Sequence, residues 1–277
     1  MRRERSLSRA FAPVAAFLAL CLLATAAPGA ARKTPVFTPE EQAFIKAHPV
    51  ISFGDVTWEP LAVIKDGVYS GVFHDYYERI AQLTGLSFAF VPMGDNLDFQ
   101  NVLDALREKR IDMIDGTGKI RQRGEYALFA GPFMRFPLAI AAREGLAAES
   151  VQALRGKRVA VARGSTAAEH LKEKHPDLPL VIVEDPREAL AMVASGRADA
   201  MLDNLAVTAY VIREAGLKNV RIAGVADYVF DVYALVRDDW PLLASILEKA
   251  QDCLSLEERR IILEKWLAET AAARAAM

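Results

Sequence analysis

The chain has 277 residues, a formal net charge of −2 and 52% hydrophobic residues. That balance provides no basic surface of the kind nucleic acid or an anionic membrane demands, so neither is expected as a partner. The length suits one large domain or two lobes with a sizeable core.

The N-terminus carries Arg2, Arg3, Arg5 and Arg9, then an apolar run over 11–27, then small residues through Ala31. This is the layout of a secretory signal peptide, and 1–31 is assigned as one, with cleavage between Ala26 and Ala31. Pro13, Pro28 and the lack of a stop-transfer flank favour cleavage over a retained anchor. Cys21 follows Leu20, where a lipoprotein processing site would have a small residue. Removing 1–31 takes away four Arg and one Glu and moves the formal charge from −2 to −5. Cys253 is then alone, and its neighbours Leu247, Ala250 and Leu254 suggest a small core residue rather than a nucleophile.

After an amphipathic opening helix over 39–48, strands and helices alternate. Strands are expected at 50–53, 87–91, 111–114, 158–162, 180–183, 198–202 and 233–236. Helices are expected at 74–84, 99–108, 166–174, 186–195, 205–215 and 241–253. The alternation predicts an α/β architecture with largely parallel sheets. The chain also echoes itself: Leu106-Arg-Glu-Lys-Arg-Ile-Asp112 sits beside Val193-Ala-Ser-Gly-Arg-Ala-Asp199 when Arg110 is aligned with Arg197. Such an echo suggests two similar lobes, although any helix-turn-strand unit looks alike. Candidate crossings between lobes lie at Pro132-Phe-Met-Arg-Phe-Pro137 and in an irregular segment near 227–236. They would divide the chain into a discontinuous lobe 1 (32–137 plus 231–277) and lobe 2 (138–230), joined by a hinge.

The stretch Val159-Ala-Val-Ala-Arg-Gly-Ser165-Thr166 reads as a buried strand that stops at glycine and starts a helix. Free N–H groups and the macrodipole make that junction a place to hold an anion, with Ser165 and Thr166 adding hydroxyls. Either hydroxyl could instead simply cap the helix. Arg123 follows the strand over 111–114, in a loop at the carboxyl end where open α/β sheets bind ligands. Its planar fork suits a carboxylate, unless it pairs with Glu125 on the surface.

Other patterns lack their partners. Asp115-Gly-Thr-Gly-Lys119 misses the earlier glycine and the following Ser or Thr of a phosphate loop. His48, His74, His170 and His175 show no metal-ligand spacing, and Ser165 lacks the flanks of a hydrolase elbow. No cofactor, metal or catalytic residue is assigned.

Gly54-Asp-Val-Thr-Trp58-Glu-Pro60, Tyr69-Ser-Gly71, Asp75-Tyr76, the 123–129 segment, Leu154-Arg-Gly-Lys-Arg-Val159, Arg163-Gly-Ser-Thr166 and Gly196-Arg-Ala-Asp199 together resemble, in order, bacterial periplasmic solute-binding proteins of the amino-acid-binding type (family 3). Thr38-Pro-Glu-Glu-Gln-Ala-Phe-Ile-Lys-Ala-His-Pro49 and Asn204-Leu-Ala-Val-Thr-Ala-Tyr210 look closer still to the Venus-flytrap sensor domains of BvgS-type histidine kinases. The resemblance covers essentially the whole mature chain. It implies a two-lobed clamshell in which each lobe is a mostly parallel sheet flanked by helices, with two crossings at the hinge. It further implies that Arg123 clamps a ligand carboxylate, Thr166 assists, Trp58 covers the ligand, and an acid near Asp203 and Asn204 takes an ammonium group.

Two departures stand out. The family's ammonium-binding acid falls on Asn204, with Asp203 one place earlier, and adjacent strand residues face opposite sides. The turn before the arginine has Gly116 and Gly118 around Thr117. The candidate ligand-binding set is Asp55, Trp58, Thr117, Gly118, Arg123, Ser165, Thr166, Asp203 and Asn204.

The function these imply is a monomeric, non-enzymatic periplasmic receptor. It would capture a small anionic solute, carboxylate or amino-acid-like, for the membrane permease of an ABC transporter. An alternative is ligand-sensing input to a separate membrane partner such as a sensor kinase. A second alternative is a dehydratase-like enzyme on the same fold, with Asp115, Glu59 or Asp203 as the acid.

Overall fold

The computed structural model describes residues 33–93 and 99–267. The signal peptide assigned to 1–31, with Cys21, lies outside the described residues.

The strands are β1 (Val50–Gly54), β2 (Val63–Lys65), β3 (Val68–Ser70), β4 (Ser87–Phe90), β5 (Met113–Gly118), β6 (Ala127–Arg143), β7 (Val159–Ala162), β8 (Leu180–Val183), β9 (Ala200–Asn204) and β10 (Val220–Arg237). The helices are α1 (Pro39–Ala47), α2 (Val72–Thr84), α3 (Phe99–Arg107), α4 (Thr166–Lys174), α5 (Pro186–Ala194), α6 (Leu205–Glu214), α7 (Pro241–Gln251) and α8 (Leu256–Leu267). Eight strands join in the order β4-β1-β5-β10-β6-β9-β7-β8, and β2 and β3 form a separate hairpin.

That order reads the same from either end. In one half β1 pairs in parallel with β4 and β5; in the other, β7 pairs in parallel with β8 and β9. Every residue of β5 and β9 is buried, as expected for inner strands covered on both faces. The halves meet through β6 and β10, which run antiparallel to each other over 17 and 18 residues. β10 pairs with β5 over Val232–Val236, while β6 pairs with β9 over Leu138–Ala142. The segment read from the sequence as irregular near 227 is therefore part of a long strand. Its irregularity is a register shift between Val225 and Val229, where the ribbon passes from one half to the other.

The internal echo has a structural counterpart. Asp112 precedes β5, and its Oδ2 accepts from Ser52 N at 2.9 Å and Ser52 Oγ at 2.6 Å on neighbouring β1. Asp199 precedes β9, and its Oδ2 accepts from Arg158 N at 2.8 Å, just before neighbouring β7. Each aspartate ties the start of a central strand to the parallel strand beside it, which fixes where the carboxyl ends of the pair emerge.

The long strand β6, whose middle was read as a crossing between lobes, the β2–β3 hairpin and α8 were not among the expected elements. The β2–β3 hairpin turns on Asp66 and Gly67, whose φ values of 52° and 75° suit the tight turn that an Asp-Gly pair favours. Helix α8 starts at a capping box, in which Ser255 Oγ accepts from Glu258 N at 3.2 Å and Glu258 Oε2 accepts from Ser255 N at 3.0 Å. Cys253 lies half-buried just past α7, less enclosed than a core position.

One close approach positions the site. Phe73 of α2 lies against Gly116 of β5, where an added Cβ would fall 2.3 Å from its ring. Gly116→Ala is therefore expected to cost about 1–3 kcal/mol through overpacking, read as a lower urea midpoint. Gly124→Ala is the control, since its Cβ would meet Phe129 at an ordinary 3.6 Å.

Candidate functional site

A cavity of about 540 Å³ opens between the two halves of the sheet. The carboxyl ends of β1, β5, β7 and β9 reach it, together with the first residues of α4 and α5. Among the residues singled out from the sequence, Asp55, Trp58, Thr117, Arg123, Ser165, Thr166 and Asp203 line it, and Gly118 and Asn204 do not.

Arg123 comes from a short 3-10 turn after β5 and is only 2% exposed. Its Nη1 donates to Thr117 Oγ1 at 2.5 Å and Gly118 O at 2.8 Å on one half. It reaches the other half through Nη2, which donates to Gly164 O at 3.0 Å, and through Nη1, which donates to Thr166 Oγ1 at 3.4 Å. The Phe99 ring lies 5.1 Å from the guanidinium carbon. All these partners are neutral, no carboxylate among the described residues bonds the group, and Nε is buried without an acceptor. Burial lowers its pKa to about 10, so it stays charged at neutral pH. An enclosed cation without an anion is costly.

The α4 junction divides its labour. Ser165 is the N-cap and its Oγ accepts from Ala168 N at 3.1 Å, so Ser165 holds the helix while lining the cavity. Thr166, the first helical residue, turns its hydroxyl to Arg123 instead. Gly118 permits that approach, because a Cβ there would lie 2.4 Å from Thr166 Oγ1.

Asp203 and Asn204 point apart. Asp203 lines the cavity and its Oδ1 accepts from Asn204 N at 2.7 Å. Asn204 is fully buried and caps α6, with Oδ1 accepting from Ala206 N at 2.8 Å. The acid facing the cleft is thus Asp203, and the cap consumes the residue that the family pattern would make the ammonium partner. Burial raises Asp203 to about 7. Trp58 packs its ring against Phe230 of β10, centroids 5.4 Å apart.

Asp55 is buried, and its Oδ1 accepts from Val56 N at 2.8 Å. Behind it stands Asp115 of β5, which accepts from the Tyr69 hydroxyl. From the sequence Asp115 was weighed as part of an incomplete phosphate-loop pattern and as a catalytic acid, and nothing in its local spacing pointed to Asp55. At the rim, Arg187 of α5 donates to Glu59 across the cavity mouth, with Nε 2.7 Å from Oε2. Among the described residues, no group of three His, Cys, Asp or Glu could hold a metal ion.

The sequence profile of the bacterial extracellular solute-binding proteins, family 3, matches residues 51–269. The chain belongs to that family. The virulence sensor protein BvgS of Bordetella pertussis is 26% identical over 236 residues, which is 84% of this chain and 19% of BvgS. The chain thus spans about a fifth of the length of that sensor. A crystal structure of the periplasmic VFT2 domain of BvgS superposes with a TM-score of 0.75 at 24% identity, covering 84% of this chain and 99% of the domain. An ancestral arginine-binding protein bound to arginine superposes with a TM-score of 0.69 at 25% identity, covering 79% of this chain and 98% of that one. The fold is the two-lobed Venus flytrap, and these relatives are binding and sensor proteins.

The environment of Asp203 has a consequence for stability. With its pKa raised from 3.8 to about 7, the folded protein holds a proton there that the unfolded chain releases. That contribution is fully present below about pH 4 and is lost as pH rises through about 7. The melting temperature of the unliganded protein is expected to fall between about pH 5 and pH 8, and that of Asp203→Asn to fall less; equal slopes in a thermal melt series would contradict this.

Proposed function

We propose that this protein is a periplasmic receptor, exported by its signal peptide, that closes on a small amino-acid-like solute between lobes divided near 137 and 230. The observation that carries the reading is the buried Arg123, which is charged, enclosed by neutral oxygens of both halves, and retains an unmatched Nε in the cavity wall. A ligand carboxylate supplies the missing anion. Asp203 supports an ammonium subsite in the same cavity, so the solute carries both charges rather than a net negative one. Trp58 and Phe230 provide apolar cover.

The magnitudes are adequate. A micromolar complex requires about 8 kcal/mol, and hydrogen bonds to charged groups contribute roughly 1.5–3 kcal/mol each. Two or three of them plus the aromatic cover suffice. Closure follows because only the closed form sets Arg123 and the start of α4 around one ligand, and that differential affinity shifts the population.

Similarity to BvgS over most of the chain favours a signalling output through a membrane partner over delivery to an ABC permease. Neighbouring genes separate the two: a membrane kinase gene supports sensing, and permease and ATPase genes support uptake.

The binding reading is tested by a thermal-shift screen of L-arginine, L-glutamine, L-cysteine, dicarboxylates and aromatic acids, since a ligand of the folded state alone raises the melting temperature. An amino acid is expected to score, and Arg123→Ala to weaken its binding about 100-fold or more, the equivalent of two lost charge-assisted bonds. Unchanged affinity in Arg123→Ala removes the carboxylate clamp.

A further inference from the structure

One acid in the wall of the cavity has a second buried directly behind it. Asp55 follows β1 and Asp115 lies in the adjoining β5, each one residue past the Gly54–Ile114 pair of the parallel register, and both are shielded from solvent. One oxygen of each is satisfied: Asp55 Oδ1 by Val56 N at 2.8 Å, and Asp115 Oδ2 by the Tyr69 hydroxyl. The other two, Asp55 Oδ2 and Asp115 Oδ1, are buried and have no donor among the described residues. Two neighbouring carboxyls with unmatched oxygens in a dry wall repel when both are ionised, and a single proton shared by the pair relieves that repulsion.

The surroundings provide no other remedy. Tyr69 of β3 donates to Asp115, and Tyr77 of α2 donates to the Asp115 carbonyl at 2.8 Å. Tyr76 stands beyond Tyr77, and His74, packed against the Tyr69 ring, is bonded to Asp75. No lysine or arginine among the described residues bonds either carboxyl. The other charged groups lining the cavity are Arg123, Asp203, Asp66 and Asp185, with two ion pairs, Glu59–Arg187 and Arg163–Glu184. The Tyr69 bond favours the charge on Asp115, which leaves the proton on Asp55, the member that lines the cavity. Burial and mutual repulsion raise Asp55 well above the ordinary carboxyl range, and burial raises Asp115 to about 6.

We propose that Asp55 and Asp115 share one proton in the cleft wall, and that a cationic side chain on the bound solute is taken in exchange for that proton. The proposal rests on this cavity being the ligand site. In the exchange the Asp55 O–H bond breaks, the proton leaves to solvent, and the ligand cation takes its place between two carboxylates. The wall carries one net negative charge before and after, so no extra charge is buried. A solute with a neutral side chain leaves the proton in place and accepts a hydrogen bond from Asp55. Affinity for the cationic solute then rises with pH by up to about tenfold per unit relative to the neutral one. Asp115 acts through Asp55 as a positioning residue.

Two measurements test this on the full folded chain. The first follows the aspartate carboxyl carbons by NMR in the unliganded protein across pH. The Asp55 and Asp115 signals are expected to move together in two separated steps, and Asp115→Asn to collapse them into one. Independent titration of both acids within the ordinary carboxylate range overturns the shared proton. The second measures proton release by calorimetry in buffers of different ionisation enthalpy, with L-arginine and its neutral analogue L-citrulline as probes. Both carry the same α-amine, so any proton lost from Asp203 is common to them. Arginine is expected to release up to one proton more than citrulline in the wild type and no more than citrulline in Asp115→Asn. Equal release in the wild type overturns the exchange. If neither amino acid binds, the cleft reading fails and the exchange with it, while the NMR titration still decides the shared proton.

Discussion

The structure turns on a guanidinium buried without an anion. Taking a charge out of water costs several kcal/mol unless it is paired and hydrogen-bonded, and Arg123 meets that cost only in part, with neutral oxygens. Those oxygens come from both halves of the sheet, Thr117 and Gly118 on one side and Gly164 and Thr166 on the other. One side chain thus bridges the two halves beside the cavity. The tie tolerates no bulk at Gly118, whose Cα faces Thr166 directly.

The fold brings this about by symmetry of plan. Each half offers the carboxyl ends of parallel strands to a shared cavity, and each pins its inner strand with an aspartate at the same place, Asp112 or Asp199. The continuous β6–β10 ribbon holds the halves together and carries its register shift where they meet. The polar groups facing the cavity divide accordingly. One buried arginine stands with two buried acids, Asp55 and Asp203, and a third, Asp115, lies behind Asp55; none of the three has a cationic partner among the described residues. The rim pair Glu59–Arg187 is half-exposed and of the kind that contributes little to stability.

Much of the scaffold was legible because hydrophobic periodicity and cap residues are local signals. The strand-to-helix junction at 159–166 could be read from a β-branched run ending in Gly-Ser-Thr, and its helix begins where the hydroxyls predict. The Asp-Gly turn at 66–67 and the Ser255–Glu258 capping box carried equally local signals that were overlooked. Long strands were harder: β10 contains a register shift, which breaks alternation and makes one strand look like a loop followed by a strand. Site details depended on direction rather than identity. Which of Ser165 and Thr166 caps, and which of Asp203 and Asn204 faces the cavity, is set by the phase of a strand entering a helix, and a shift of one residue reverses it. The Asp55–Asp115 contact joins neighbouring strands sixty residues apart in sequence, and no pattern along the chain announces it.

The central claim is that Arg123 holds a carboxylate. The most direct measurement compares, by titration calorimetry, the amino acid that most raises the melting temperature with its carboxamide, which keeps the amine and side chain but loses the negative charge. The amide is expected to bind about 100-fold more weakly or worse, the equivalent of about 2.7 kcal/mol. Equal affinity of the two would show that Arg123 is satisfied by the protein alone and that the solute is recognised by its cationic end.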